Sequence, residues 1–324
     1  MTEHILYAFK HTVHRNILLL GILCAIWMSM EHPAAANAFG SFDVNTPLVA
    51  AIFLVEGLHM TLAGSGNFRM YLKELGWAAL ITAVLYPLAA AGLAWGFGVE
   101  SDARVGFLLL SSLPGSSASI AMAASAGGDP FTAMLLLIAM SLLGIISIPL
   151  DLALWLGSST PVSELLVMKK LVLFLVLPAL CGQVLRGLFP RLPERIAPVT
   201  KYVPTVCISL LVYFSCSRES ALLHGLRLDD LMHVIVPCLL LHGFMLGFTW
   251  LVGRRSLHME DGPARSFLFV ISEKPMSLSV ALWSMTYAHH HPLAIFPILV
   301  FYVCQVLFDS IVVSRMVADD SRNG

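Results

Sequence analysis

Long apolar runs separated by short polar stretches recur ten times along the chain, at 15–33, 46–63, 73–97, 104–126, 130–156, 166–188, 198–216, 231–253, 264–288 and 292–315. Most of them reach the roughly 20 residues that a membrane-crossing helix needs. The pattern predicts an all-α membrane protein of ten transmembrane helices, with the lipid bilayer as its solvent. The first run is the weakest. Lys10 and Arg15 precede it and Ala36-Asn37-Ala38 follows, which is also the layout of a cleavable signal peptide. Cleavage would leave nine helices, so the run is read as a helix. The polar tail Ala318–Gly324 is expected to fray.

Two of these runs are copies of one another. Ala103-Arg104-Val105-Gly106-Phe107-Leu108-Leu109-Leu110-Ser111-Ser112-Leu113-Pro114-Gly115-Ser116 lies in the first half of the chain. Ala264-Arg265-Ser266-Phe267-Leu268-Phe269-Val270-Ile271-Ser272-Glu273-Lys274-Pro275-Met276-Ser277 lies in the second, at an offset of 161 residues without a gap. Each is an apolar run interrupted by proline at mid-length. Paired, interrupted helices at matching positions of two halves point to a transporter's binding site.

Composition supports the membrane setting. Hydrophobic residues make up 58% and charged residues 12% of the 324, against roughly a half and a quarter in soluble domains, and the mean hydropathy is +0.83. A net charge of −1 excludes a general electrostatic attraction to nucleic acid. The six cysteines are scattered, with neither CxxC nor CxxH, and read as small core residues rather than a disulfide framework or zinc site.

Loop charge sets the orientation. Lys10, Arg15, Arg69, Lys73, Arg186, Arg191, Arg195, Lys201, Arg254, Arg255, Arg265, Arg315 and Arg322 fall on one side. Arg104, Lys169, Lys170, Arg218 and Arg227 fall on the other, and Lys274 lies inside the membrane. Both termini are therefore placed in the cytoplasm, in an inner (plasma) membrane. Five helices per half invert the second half, giving two inverted five-helix repeats at 1–160 and 161–324. The broken fourth and ninth helices then run antiparallel and bring their breaks together at mid-membrane.

The breaks carry the candidate chemistry. Proline lacks a backbone donor and clashes with the preceding turn, which frees carbonyls and starts a new half-helix with free N–H groups. Such backbone survives in a membrane only where it is buried in protein or lines a cavity. Half-helix N-termini favour anions and freed carbonyls favour cations. Ser111, Ser112, Ser116, Ser117 and Ser119 add hydroxyls at the first break; Ser272, Ser277 and Ser279 add them at the second. The bland alternative is a proline kink with serines that let helices pack closely.

Glu273-Lys274 is the sharpest pair, since intramembrane charges are costly and functional by default. Its alternative reading is a structural salt bridge, with Glu56 as a candidate partner for Lys274. Glu56 and His59 share a helix face and read as a proton relay or a buried hydrogen-bonded pair. Asp151 and Asp309 are placed at the membrane interface. His289-His290-His291 reads as a solvated turn before Pro292.

These residues resemble a known family. Leu113-Pro114-Gly115-Ser116-Ser117-Ala118-Ser119, followed by Gly128-Asp129, is similar to the helix 4 stretch of the bile acid:sodium symporter family. Glu273 with Met276 is similar to its helix 9 motif. Pro297-Ile298-Leu299-Val300-Phe301 with Gln305 resembles helix 10 of its sodium-dependent-transporter-like branch. Thr46-Pro47-Leu48 with Glu56-Gly57-Leu58 fits its helix 2. The resemblance implies a panel domain and a core domain, each drawing on both repeats, with helices 4 and 9 crossing in the core. It also implies cation-coupled symport of a small or amphipathic organic anion. Substrate would bind around Pro114, Gly115, Ser116, Ser117, Pro275 and Ser277. Ser119, Glu273, Lys274, Thr82 and Glu56 are the candidates for ion coupling.

Sodium is the ion this resemblance implies, yet several ligand positions are substituted. Ile120 stands where the family has Asn, Ala133 and Leu137 replace two hydroxyls, and Thr82 and Ser277 replace two Gln; Glu273 and Ser119 remain. Lys274 is expected to compensate, donating to freed carbonyls and neutralising Glu273 in place of a bound cation. Two carrier readings follow: sodium-coupled uptake, and sodium-independent transport by proton coupling or efflux, as in the related auxin-efflux and arsenite-efflux carriers. A non-transporting membrane sensor is the third reading. No HExxH, GxSxG or paired catalytic Asp pattern lies in the helices, so no enzyme, cofactor or resident metal is expected. Substrate identity and oligomeric state leave no mark in the sequence.

Overall fold

The computed structural model describes residues 17–34, 44–60, 71–156, 164–218 and 228–323, and among these all regular structure is helical. Lys10, Arg15, Arg69, Arg227 and the Ala36-Asn37-Ala38 stretch lie outside the described residues. The helices are α1 Ile17–Glu31, α2 Asn45–His59, α3 Leu72–Gly96, α4 Ser101–Ser111, α5 Ala118–Ser125, α6 Pro130–Leu156, α7 Glu164–Leu171 and α8 Leu177–Leu188. They continue with α9 Leu192–Thr200, α10 Val203–Arg218, α11 Leu228–Leu251, α12 Asp261–Ser272, α13 Met276–Leu282 and α14 Ile295–Asn323.

By length and apolarity five of the described helical stretches can cross a membrane, or six if α9 and α10, bent by 41° at their junction, count as one. The surface agrees with that setting. On α6, Leu142, Ile146, Leu150 and Leu154 are spaced one turn apart and are 63, 63, 63 and 75% exposed. A continuous apolar stripe of this kind suits hydrocarbon rather than water.

Two helices absorb a proline by widening the turn before it. A π turn, Ile81–Leu85, stands just before Pro87, and another, Val172–Val176, just before Pro178. A proline cannot donate to the carbonyl four residues back, and widening the preceding turn accommodates the missing bond.

The chain forms two compact units, Met1–Met60 with Val172–Leu226, and Thr61–Leu171 with Arg227–Gly324. Each draws on both halves of the chain. In the first unit α1 packs on α10, and α2 packs on α8 and α10. The α2–α8 crossing is close because a Cβ on Gly57 would overlap the backbone of Ala179, the small-residue contact expected where apolar helices meet in lipid. Gln183 Nε2 donates to the Gly57 and Met60 carbonyls, and Arg186 Nη1 to those of Leu58 and His59, so side chains of α8 cap the end of α2. His59 hydrogen-bonds with Thr200 Oγ1 at 2.7 Å.

In the second unit α11 packs on α12 and α14, α12 on α5 and α6, and α4 on α3, α13 and α14. Where the sequence led us to expect a frayed tail, α14 runs on to Asn323. Arg265, buried at the start of α12, donates to both carboxylate oxygens of Asp320 at 2.6 Å and to the Ala126 carbonyl at 2.6 Å. A buried guanidinium needs such partners, and Asp320 supplies them bidentately.

The cysteines also depart in part from expectation. All six are free thiols, but only Cys207, Cys216, Cys238 and Cys304 are buried, whereas Cys24 and Cys181 lie on the surface.

Candidate functional site

Two interruptions of the helical ladder face each other inside the second unit. The first separates α4 from α5 at Ser112–Ser117, and the second separates α12 from α13 at Glu273–Pro275. The second is fully extended at its ends, with Glu273 at φ −74°, ψ 145° and Pro275 at φ −79°, ψ 112°. The crossing is reciprocal: α12 packs on α5, and α13 on α4. The approach is tight, because a Cβ on Gly115 would overlap the carbonyl oxygen of Val270.

Lys274 joins the two breaks. It is 3% exposed, its Nζ donates to the Leu113 carbonyl at 2.6 Å, and the ammonium lies 3.7 Å from the centroid of the Tyr86 ring. The contact with Leu113 satisfies a carbonyl that the Pro114 break frees, and the ring face supplies a cation–π attraction in a dry setting. Gln305 on α14 holds the same residue by its backbone. Its Oε1 accepts from Lys274 N at 2.8 Å and its Nε2 donates to Lys274 O at 3.4 Å. Tyr86 in turn donates its hydroxyl to Ser272 O at 2.9 Å, fixing the ring beneath the ammonium.

Glu273 is 2% exposed and its Oε1 has no hydrogen-bond partner. The expected neutralisation by Lys274 is not formed: among the described residues no carboxylate stands within ion-pair distance of Nζ. Adjacent residues of an extended segment direct their side chains to opposite sides, and Lys274 is further constrained by the proline after it. Glu56 belongs to the first unit and Lys274 to the second.

The serines are also placed differently from the expectation that their hydroxyls serve the site. Ser111 and Ser112 donate to Leu108 O at 2.7 and 2.9 Å, and Ser272 to Leu268 O at 2.7 Å. Ser119 donates to Ser116 O at 2.5 Å, and Ser279 to Pro275 O at 2.7 Å. A hydroxyl in an apolar helix takes the nearest carbonyl one turn back, so most are spent locally. Ser116 Oγ accepts from the Ala118 N–H at 3.1 Å, at the start of α5. Ser117 is exposed and Ser277 half-buried. Thr82 is buried within the π turn of α3, while Ala133 and Leu137 are buried on α6.

Sequence reasoning missed a second polar cluster. Asp309, expected at the interface, is 1% exposed, and His242 Nε2 is hydrogen-bonded with its Oδ1 at 2.9 Å between α11 and α14. The Phe301 and Phe308 rings stand edge-on to the imidazole. Asp151 is buried too. A His and an Asp inside apolar runs were the available signal; their partnership spans 67 residues and leaves no local pattern. In the histidine turn, His291 hydrogen-bonds with Asp102 at 3.0 Å and the rings of His289 and His290 stack. Among the described residues no group of three metal-ligating side chains is present.

Residues 16–318 match the SBF-like CPA transporter family. Among curated proteins, the chain is 26% identical over 319 residues to sodium/bile acid cotransporter 7 of Xenopus tropicalis, covering 93% of this chain and 91% of that one. It is 24% identical over 311 residues to the putative symporter YfeH of Escherichia coli K12, covering 91% of each. It is 26% identical over 309 residues to the uncharacterized protein PA2026 of Pseudomonas aeruginosa, again covering 91% of each. With the apolar helices and the buried pair of helix breaks, these matches make the chain a multi-pass membrane transporter that belongs to the SBF-like CPA transporter family.

Proposed function

We propose that this transporter is a secondary-active carrier of a small or amphipathic organic anion, working by alternating access and coupled to a cation in symport. The observation that supports it best is the meeting of two helix breaks inside one unit, with an ammonium buried between them. Irregular backbone in a membrane protein is kept where it serves a cavity or a site. The names of the relatives, a sodium/bile acid cotransporter and a putative symporter, point the same way.

In this reading the chain has ten spans in two inverted repeats, 1–160 and 161–324, in the inner membrane with both termini in the cytoplasm. The first compact unit serves as panel and the second as core. The anion binds around Pro114, Gly115, Ser116, Ser117, Pro275 and Ser277. Ser119, Thr82, Glu273 and Lys274 take part in ion coupling within the core, and Glu56 does so within the panel.

A sodium-independent carrier is the second reading, favoured by the Lys274 ammonium already seated on the Leu113 carbonyl. Uptake of a panel of steroid and short-chain carboxylates and sulfonates into proteoliposomes separates the two. Sodium symport requires uptake of at least one anion that an inward sodium gradient accelerates. Undiminished uptake in sodium-free buffer removes sodium symport and leaves the second reading. Binding without flux, lost in Glu273→Ala, replaces the carrier with a sensor.

A further inference from the structure

We propose that Lys274 is a built-in cation: its ammonium permanently fills the position between the two breaks, and the core is held together there without a metal ion. The inference rests on the carrier reading above and narrows its sodium-independent form to one residue.

The oxygens around the breaks carry the argument. A hard cation needs a shell of about six oxygen ligands. Leu113 O accepts from Lys274 Nζ, Ser272 O from Tyr86, Ser116 O from Ser119, and Pro275 O from Ser279. Gln305 Oε1 accepts from Lys274 N. Glu273 Oε1 is the one side-chain oxygen at the breaks left as a buried orphan. Ile120, Ala133 and Leu137 bring no oxygen at positions where the resemblance to the bile acid symporters implies ligands. With a single unspent buried side-chain oxygen and an ammonium already seated on the Leu113 carbonyl, the side chains present offer sodium too few ligands and a like charge beside them, and do not fit it.

They do fit an ammonium, which is satisfied by few acceptors and an aromatic face. Its placement has a further consequence. Lys274 and Leu113 are 161 residues apart, the same offset that relates the two copies of the broken helix. Lys274 therefore donates to the residue that is its own counterpart in the other half. One covalently held positive charge ties the two copies at equivalent points, and it cannot diffuse away.

Thermal unfolding of the purified full-length protein tests this with sodium, potassium, choline or methylammonium chloride at constant ionic strength. No organic anion is used, so failure to find a transport substrate leaves the result untouched, and the reverse holds as well. The wild type is expected to melt at the same temperature in sodium as in potassium. Lys274→Ala is expected to melt lower and to be restored by methylammonium, which is small enough to enter, but not by sodium, for which the ligands are lacking, nor by the larger choline. Lys274→Arg is expected to keep the insensitivity of the wild type. A sodium-specific rise in the wild type overturns the proposal. So does Lys274→Ala that melts as the wild type, or that melts lower with no cation restoring it. If Lys274→Ala yields no folded protein, the sodium titrations of the wild type and Lys274→Arg decide the matter alone.

Discussion

The two breaks occupy equivalent positions in the repeated segments and are closed by opposite means. At the first, the backbone itself comes close. Gly115 lies against the Val270 carbonyl, and Gly144 of α6 leaves room for the Pro114 ring, which a Cβ there would meet at 3.3 Å. At the second, side chains do the work. The counterparts of Leu113, Gly115 and Gly144 at an offset of 161 are Lys274, Met276 and Gln305, and two of these three are polar and hydrogen-bonded across the break. One backbone device has thus been filled once by removing atoms and once by adding donors and acceptors. Steric fit holds the first, and electrostatics in a dry interior hold the second.

The largest effects should come from reversing the steric arrangement. Gly115→Val places atoms where the Val270 backbone oxygen stands, and backbone cannot yield as a side-chain tip can. We expect a loss of about 3 kcal/mol or more, read as a fall in the unfolding temperature and in the yield of monodisperse protein. The counterpart change at the second break is the opposite one. Met276 is buried, and Met276→Ala leaves a void costing about 2–3 kcal/mol. If Gly115→Val were tolerated as well as a surface substitution, the claim that close approach closes the first break would fail.

Next in size is Gln305→Leu. It leaves the Lys274 N–H without its acceptor in a buried segment, at a cost of about 2 kcal/mol, while its volume still fills the space beside the break. Exchange of the Lys274 amide hydrogen, followed by mass spectrometry, should quicken in this variant. The Leu113 N–H at the first break bonds to Leu110 O within its own turn, at 3.3 Å, so its exchange should not change.

What the sequence shows and what it hides divide along the same line. The apolar runs, the proline interruptions and the offset between Pro114 and Pro275 are local or periodic features, and a chain displays those directly. The family likeness was legible for the same reason, being carried by short motifs in order. Partners are another matter. That Lys274 would reach Leu113 rather than Glu273 depends on an extended turn beside a proline, and on Tyr86 and Gln305 arriving from distant segments. His242 with Asp309 and Arg265 with Asp320 were hidden likewise, each side chain being ordinary in its own run. Thr82 was matched to a family Gln by its position along the chain, but it lies in a π turn. Such a turn holds one residue more than an α turn, and so rotates the face that Thr82 presents.

A smaller effect is expected at Tyr86→Phe. The variant loses the hydroxyl bond to Ser272 O, worth about 1 kcal/mol, and keeps the ring under the ammonium. Tyr86→Leu removes both, and its extra loss over Phe measures the cation–π contribution, about 2 kcal/mol for a desolvated pair. Equal melting of the Phe and Leu variants would show that the ring face contributes nothing to holding Lys274.

The smallest effect is expected where the two copies agree. Ser111 and Ser272 are counterparts at the 161-residue offset, both are fully buried, and each gives its hydroxyl at 2.7 Å to a carbonyl of its own helix. Those hydroxyls compete with the backbone ladder rather than adding a bond between helices. Ser111→Ala and Ser272→Ala remove donor and acceptor together and leave a methyl group in an apolar interior. Each should shift stability by about 0.5–1 kcal/mol at most, and by the same amount within error. Ser272 O also accepts from Tyr86, but that bond belongs to the backbone and survives the substitution. A much larger loss in Ser272→Ala than in Ser111→Ala would mean that the difference between the breaks begins a residue before Glu273, in the last turn of α12.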